Sequence, residues 1–369
     1  MFDLNSCAKL LRMVQNESPS ESPTIDSAPS DSPVNLKSLA GYLGLSQATV
    51  SVVMNGSPVA DSIPQNTKDR VLAAVRRFNY RPNHVARSLR RQRSSTIGVV
   101  VPEVSEGYAA LVMSGIEDHL LQSEYFYFVM SHHHKKDLLK GYAELFLKRS
   151  VDGLITLDTH CSERLPIPVV SVSGHGHVEG VTNVVLNHSH AAFLALQHLV
   201  HLGHRDIAFI KGQDFTSDTK PRWNAIVAAA RKLKLRIDQK LVGRLEGESS
   251  SPEVGYRITK KILAACRPFT ALFAFNDIAA IGAISALREA GLRIPHDISV
   301  VGFDDIQCAT YQHPGLTTIR QPLRKMGEIA AQTTVRRIAN RASAEYQKLI
   351  VVEPELVVRG STGYCPPSG

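Results

Sequence analysis

No apolar run in this 369-residue chain approaches the roughly 18 residues that a membrane-spanning helix needs, so no segment is expected to cross a bilayer. Cysteine is scarce. Cys7, Cys161, Cys266, Cys308 and Cys365 are odd in number, far apart and lack metal-type pairing, which excludes a disulfide scaffold and fits a reducing cytoplasm. The tetrapeptide LNSC at Leu4 to Cys7 has the look of a lipoprotein cleavage site, but neither a basic region nor an apolar stretch precedes it. Also missing are a Walker-type phosphate loop, a dinucleotide glycine fingerprint after the first strand and a serine elbow, which argues against an enzyme.

What is present is unevenly spread. With 43% hydrophobic residues the chain can bury large cores and is expected to hold two or three domains. The net charge of +8 is concentrated: residues 34–95 carry ten basic side chains against Asp61 and Asp69, whereas residues 1–33 sum to −3 and the remaining 274 to +3. A basic segment of this density is the footprint of a polyanion binder, a solvated basic face being the plain alternative. The first 33 residues, including ESPSESPTIDSAPSDSP, are too rich in Ser, Pro and acid to bury a core and are expected to be disordered.

The stretch LKSLAGYLGLSQATVSVVMNG adds a geometry to the charge. Leu36, Leu39, Ala40 and Leu43 recur at helical spacing, Gly44 permits a turn, Ser46 is placed to cap a second helix, and Val50 and Val53 continue the apolar face. This predicts helix, turn, helix, with Ala40 small so that the second helix crosses close above it and Leu45 filling the wedge. Gln47, Ala48, Ser51 and Val52, with Thr49 at their flank, would face outward and are short enough for a major groove. A third helix in NTKDRVLAAVRRFNY would support the pair through Val71, Leu72, Val75 and Phe78. An ordinary three-helix core is the plain alternative.

The segments that follow make the pattern specific. TVSVVMNG, YRPNHVARSL, LGHRDIAFIKG, FNDIAAIGAISALREAGLRIPHDISVVGFDD and LTTIRQP occur in an order and spacing that resembles the lactose-repressor family of bacterial transcription regulators, from Val34 to Thr362. The resemblance implies a helix-turn-helix head over 34–82, a hinge helix and linker over 83–95, a two-lobed periplasmic-binding-protein-like α/β core over 96–362, and a tail over 363–369. Lobe one would take about 96–188 and 322–350, and lobe two about 189–321 and 351–362, with passages near His188, Gln321 and Val351. It implies DNA contact by Gln47, Ala48, Thr49, Ser51, Val52, Asn55, Arg87 and Leu89, with Leu89 of the hinge wedged into a minor groove. Val52 stands where the family commonly has an arginine or histidine, which leaves base discrimination more to Gln47 and to operator shape.

Beyond the linker, runs such as TIGVVVP, VDGLITL, ALFAFND, ISVVGFDD and LVVRGST read as strands alternating with helices, hence parallel sheets whose ligands bind beyond the carboxyl ends of strands. Arg222, Asn276 and Asp304 stand at such ends with the donors and acceptors that carbohydrate or nucleoside recognition uses. By resemblance these three, with Tyr108, line the effector cleft, and Arg222→Ala or Asp304→Ala is expected to abolish the ligand response alone. Leu186 and Ala109 depart from the family pattern and predict a less polar wall, while Thr216 and Asp218 argue against a purine. Asp277 is expected to cap a helix. The histidines of SHHHKK and GHGH lack an acidic partner nearby in sequence and predict a solvated loop; no metal and no cofactor is expected.

The expectation is therefore a repressor-type transcription regulator acting as a homodimer, with a tetramer left open, on an approximately palindromic operator under control of a small ligand, most readily a sugar. A solute-binding protein, or a sensor of a non-sugar ligand on the same core, is the alternative; the former needs an export signal and no basic head.

Overall fold

Asn35 and Ser38 open the first helix reciprocally: Ser38 N–H donates to Asn35 Oδ1 at 3.0 Å and Asn35 N–H to Ser38 Oγ at 3.1 Å. Helix α1 (Leu36–Leu43) ends at Gly44, whose φ of +65° is open to glycine and strained for other residues. Ser46 then caps α2 (Gln47–Met54) by accepting from Thr49 N–H at 3.0 Å. After a 3-10 turn over Pro58–Ser62, α3 (Gln65–Arg77) lays Val71 and Ala74 against Leu39, Ala40, Leu43, Val50 and Val53. Leu72 departs from expectation at 42% exposed. The inward row of α3 runs through 71, 74, 75 and 78, and each residue turns about 100° from the last, so position 72 points away from it. Arg70 donates to Leu43 O at 3.0 Å and Arg77 to Tyr42 Oη at 2.9 Å, tying two of the basic side chains to the head itself.

This computed structural model describes residues 34–56, 58–81, 93–105, 107–247, 251–340 and 345–367. It divides into two units, Met1–Arg87 and Ser88–Gly369. The leader over 1–33 and the hinge positions Arg87 and Leu89 lie outside the described residues, among which no helix is long and apolar enough to cross a membrane.

The second unit alternates strand and helix, and most of its strands are apolar on both faces because helices cover both sides of each sheet. In chain order the first lobe holds β1 (Thr96–Val101), α4 (Gly107–Gln122), β2 (Phe126–Ser131), α5 (Lys136–Lys148), β3 (Gly153–Leu157), β4 (Val169–Val172) and β5 (Val181–Leu186). The second holds α6 (His188–His201), β6 (Ile207–Lys211), α7 (Thr219–Lys232), β7 (Val242–Arg244), α8 (Pro252–Ala264), β8 (Ala271–Phe273), α9 (Asp277–Glu289), β9 (Ser299–Asp304), α10 (Gln307–Thr310) and β10 (Thr317–Arg320). The chain returns to the first lobe with α11 (Leu323–Ala339) and β11 (Leu349–Val352), then ends in the second with β12 (Glu355–Val357). The sheets run β11-β5-β4-β3-β1-β2 and β12-β10-β9-β8-β6-β7, parallel except for β12 against β10. Both are doubly wound, reversing direction between β1 and β3 in one lobe and between β6 and β8 in the other, and ligands collect outside the strand ends at such a reversal.

Two boundaries shift from expectation. The third passage between lobes falls after Val352, near the expected Val351, since Val351 and Val352 are registered against Val185 and Leu186 in the first sheet and lengthen the first lobe's last strand by two residues beyond 350. The strand expected over LVVRGST shortens to Glu355–Val357; Ser361 instead anchors the segment by its side chain, which donates to Val300 O at 2.6 Å and accepts from Thr317 N–H at 2.8 Å. The linker enters the core on Asp152, whose carboxylate accepts from Ser94 and Ser95 N–H at 3.2 and 2.8 Å.

Candidate functional site

On the head, Gln47, Ala48 and Asn55 are exposed, and Thr49, Ser51 and Val52 half-buried along α2. Two of these polar groups already work within the helix. Thr49 shares a 2.8 Å hydrogen bond with Ser46, and Asn55 donates to Ser51 O at 2.7 Å and Ser51 Oγ at 3.2 Å. Among the described residues Gln47 makes no such bond, and it stands exposed at the N-terminal end of the helix.

In the core, a cavity of about 290 Å³ opens where the strand ends of the two lobes meet. Its walls follow from the topology: Glu103 and Tyr108 come after β1, Asp158 after β3, Gln213, Asp218 and Arg222 after β6, Phe275 and Asn276 after β8, and Asp304 and Ile306 from the end of β9. All four residues named from the sequence, Tyr108, Arg222, Asn276 and Asp304, line it.

Each carries a structural duty as well. Arg222 is buried, donating Nη1 to Phe275 O at 2.5 Å and Nη2 to Asp218 Oδ2 at 3.1 Å, with its guanidinium 3.7 Å from the Phe303 ring centre and 4.4 Å from that of Phe275. Its Nε–H has no hydrogen-bond partner among the described residues. Asn276 caps α9 by accepting from Ala279 N–H at 2.8 Å, so its oxygen is committed and its amide nitrogen is what a ligand can meet. Asp304 Oδ1 accepts from Gln321 at 2.6 Å, on a backbone held at φ +110°. Strain of this kind in a non-glycine residue persists where the surroundings enforce it, commonly at binding sites. Tyr108 Oη lies 2.6 Å from Ser173 Oγ, and burial together with the Asp218 charge pushes its phenol well above the usual range.

Asp277 is not a lining residue. It sits fully buried in the first turn of α9, accepting from Ile306 N–H at 2.9 Å and Thr318 Oγ1 at 2.6 Å, and burial with the Asp304 charge raises its carboxyl well above the ordinary range.

Other expectations change. Leu186 and Ala109 are buried and form no part of the cavity wall, which is acidic rather than depleted of polar groups. The SHHHKK loop is only partly solvated. His132 is buried, with Nδ1 accepting from His134 N–H at 3.0 Å and Nε2 at 3.0 Å from Thr159 Oγ1, while His134 lines the cavity with its ring 4.0 Å from that of Phe215. The GHGH segment has an acidic partner that sequence distance concealed: His175 Nε2 lies 2.6 Å from Asp218 Oδ1, and His188 Nε2 lies 3.1 Å from the same atom. Burial opposes ionisation of Asp218, but His188, His175 and Arg222 outweigh it and hold the carboxyl well below its usual range. Ser217 adds a further link across the cleft, its N–H donating to Asp158 Oδ1 at 2.8 Å and its hydroxyl lying 2.5 Å from Ser173 O.

A capped three-helix head and a two-lobed α/β core with a cavity between its lobes define a DNA-binding regulator whose activity answers to a small ligand. Residues 35–83 match the bacterial regulatory proteins of the lacI family, and 196–362 match the periplasmic binding protein-like domain. The HTH-type transcriptional repressor PurR of Haemophilus influenzae is 33% identical over 337 residues, which cover 88% of this chain and 98% of that one. Among solved structures, the lac repressor dimer bound to operator and the anti-inducer ONPF is similar at 25% identity and a TM-score of 0.80, over 90% of this chain and all of that one. The transcriptional regulator CelR in complex with cellobiose is similar at 26% and 0.66, over 89% and 99%. The chain belongs to the lacI family of bacterial regulatory proteins. It is a ligand-regulated DNA-binding transcriptional repressor and not an enzyme.

Proposed function

We propose that the effector is a neutral polyhydroxyl solute, a sugar or sugar derivative, bound between the lobes. One observation carries this reading. Glu103, Asp158, Asp218 and Asp304 line the cavity against a single guanidinium, that of Arg222, so an anionic ligand is disfavoured and a neutral one is admitted. The Asn276 amide nitrogen supplies a donor, and Tyr108, Phe215 and Phe275 supply apolar faces for a sugar ring. The cellobiose complex of CelR is a sugar-bound relative. Thr216 and Asp218, set by the resemblance against a purine, both line the cavity.

On the DNA side, Gln47, Ala48, Thr49, Ser51, Val52 and Asn55 meet the major groove, while Arg87 and Leu89 in the segment over 83–95 serve the operator centre. The active species is a homodimer on an approximately palindromic site, in the cytoplasm with its DNA. Support comes from β2, an edge strand that leaves Phe126, Phe128 and Val129 exposed, and from the dimeric state of the solved lac repressor. Because the lobes meet through the cavity, a ligand that prefers one lobe arrangement shifts operator affinity, by about 5- to 150-fold for a coupling of roughly 1 to 3 kcal/mol.

The test is thermal-shift screening of sugars, nucleobases and anionic metabolites, followed by operator binding with and without the hit in wild type and Asp304→Asn. Asparagine keeps the shape and tolerates the left-handed backbone but removes the charge. A sugar hit whose effect on operator binding disappears in Asp304→Asn, with operator affinity itself retained, is the expected result. A purine or an anion as the stabilising ligand overturns the effector class.

A further inference from the structure

Three side chains that the sequence keeps apart converge beside the cavity. His175 lies on the segment after β4, His188 opens α6 at the first passage between lobes, and Asp218 precedes α7 in the second lobe. One ligand atom from each falls within 4.8 Å of the other two. Asp218 Oδ1 is the shared centre, 2.6 Å from His175 Nε2 and 3.1 Å from His188 Nε2.

We propose that His175, His188 and Asp218 bind a divalent transition cation, with Zn²⁺ the best fit and Co²⁺ a spectroscopic substitute. Bonds of about 2.0 to 2.2 Å from nitrogen and oxygen to zinc put ligand atoms roughly 3 to 3.5 Å apart, so these donors need only part slightly around an ion. Two imidazoles with one carboxylate is a donor set for zinc, nickel or ferrous iron, whereas Mg²⁺ and Ca²⁺ take oxygen ligands. Three protein ligands leave a fourth position for water or a ligand hydroxyl.

The surroundings suit the ligands. Asp218 Oδ2 accepts from Arg222 Nη2 at 3.1 Å, which orients the carboxylate and leaves Oδ1 to the histidines. His188 Nδ1 has no hydrogen-bond partner among the described residues, so it can take the ring proton while the Nε2–H bond to Asp218 Oδ1 gives way to ligation by Nε2. His132 contrasts, since its two nitrogens are both occupied. Access is through His175, whose side chain is 23% exposed where the other two are 7%. The consecutive histidines of SHHHKK, by contrast, point to different partners.

His175 belongs to the first lobe and Asp218 to the second, so a bound cation ties the lobes in the arrangement described. A ligand that binds one arrangement stabilises it by mass action. On the reading above, in which lobe arrangement sets operator affinity, the cation is therefore a co-effector.

The experiment uses full-length protein stripped with EDTA and dialysed, with Co²⁺ followed by its visible absorption, then Zn²⁺ and Mg²⁺ as competitors, in the absence of DNA and sugar. One equivalent of Co²⁺ per chain, displaced by Zn²⁺ and not by Mg²⁺, is expected. His175→Ala is expected to weaken binding at least about ten-fold, and His188→Gln likewise, while His133→Ala and His177→Ala leave it unchanged. Asp218 is left intact because it also holds Arg222. Unfolding curves in EDTA that match wild type show that His175→Ala is folded. Stoichiometric binding absent from wild type, or binding that survives His175→Ala and is lost in His133→Ala, overturns the site. Since neither operator nor sugar is present, that failure leaves the effector reading standing, and a purine hit in the effector screen leaves the metal site standing.

Discussion

Arg222 was expected from the sequence to serve the ligand alone, and its surroundings say otherwise. It is buried, paired with Asp218, bonded to the Phe275 carbonyl and stacked on Phe303. Removing one member of a buried charged pair strands the other, at a cost of about 3 to 5 kcal/mol. Arg222→Ala is therefore expected to lower the unfolding free energy by about that much, read from urea unfolding curves, as well as removing the ligand response. Arg222→Lys keeps the charge but not the planar fork or the stack, and should recover only part of the loss. A midpoint equal to wild type for Arg222→Ala would mean that the guanidinium is kept for ligand only. Asn276 and Asp304 were reached from the strand ends they follow, whereas Arg222 lies inside α7, and Tyr108 lies inside α4 and was reached by the resemblance alone; all four line the cavity. The His175, His188 and Asp218 cluster was not legible, since its members lie 43 and 30 residues apart and only the two-lobed closure unites them. The second duty of Asn276 was also hidden, because FND reads equally as a ligand donor or a helix cap.

At the scale of elements, helices cross closely at glycines that no periodicity reveals. A Cβ on Gly115 of α4 would lie 1.8 Å from Arg324 O of α11, and one on Gly327 would lie 2.0 Å from Val112 O. In the second lobe, a Cβ on Gly282 of α9 would lie 1.8 Å from Pro252 O of α8. Backbone cannot yield as a side-chain tip does, so even one methyl group forces the helices apart. Gly115→Ala and Gly282→Ala are each expected to destabilise the core by about 1 to 3 kcal/mol or more, read from denaturant midpoints. A neutral effect at either position would show that the crossing is looser than the backbone distances imply. The head offers a smaller test. Ser46→Ala removes the acceptor for Thr49 N–H and should cost about 1 kcal/mol in head stability, with weaker operator binding as a consequence. Strands of five or six residues such as β3 and β5 were visible as apolar runs, whereas β7 has three residues and is defined by its parallel pairing with β6 rather than by any pattern of its own.

At the scale of the whole molecule, buried neutral histidines make stability depend on pH. His204 is fully buried, with Nδ1 2.9 Å from Thr270 Oγ1 and Nε2 2.9 Å from Ser299 Oγ, and burial lowers its pKa. Burial also lowers His198, beside Thr362, and takes His132 down to about 4. The geometry agrees for His132, whose Nδ1 accepts from His134 N–H and loses that bond once protonated. A base with a depressed folded pKa binds fewer protons folded than unfolded, so stability is full above the unfolded value near 6.5 and falls as pH drops below it. Each such histidine contributes a slope of up to about 1.4 kcal/mol per pH unit in that window. Carboxylates held low add nothing until lower pH, but the raised carboxyl of buried Asp277 acts with the opposite sign as pH falls, so the histidine share is read from the difference in slope between wild type and a histidine variant. Urea midpoints are expected to fall steadily from about pH 6.5 to 5, and His204→Asn, although less stable at neutral pH, should show a shallower slope than wild type. Proton NMR titration of His132 should give a midpoint about 4. A flat stability profile from pH 7 to 5, or a His132 midpoint near 6.5, would mean that these rings are hydrated in solution rather than held neutral by burial.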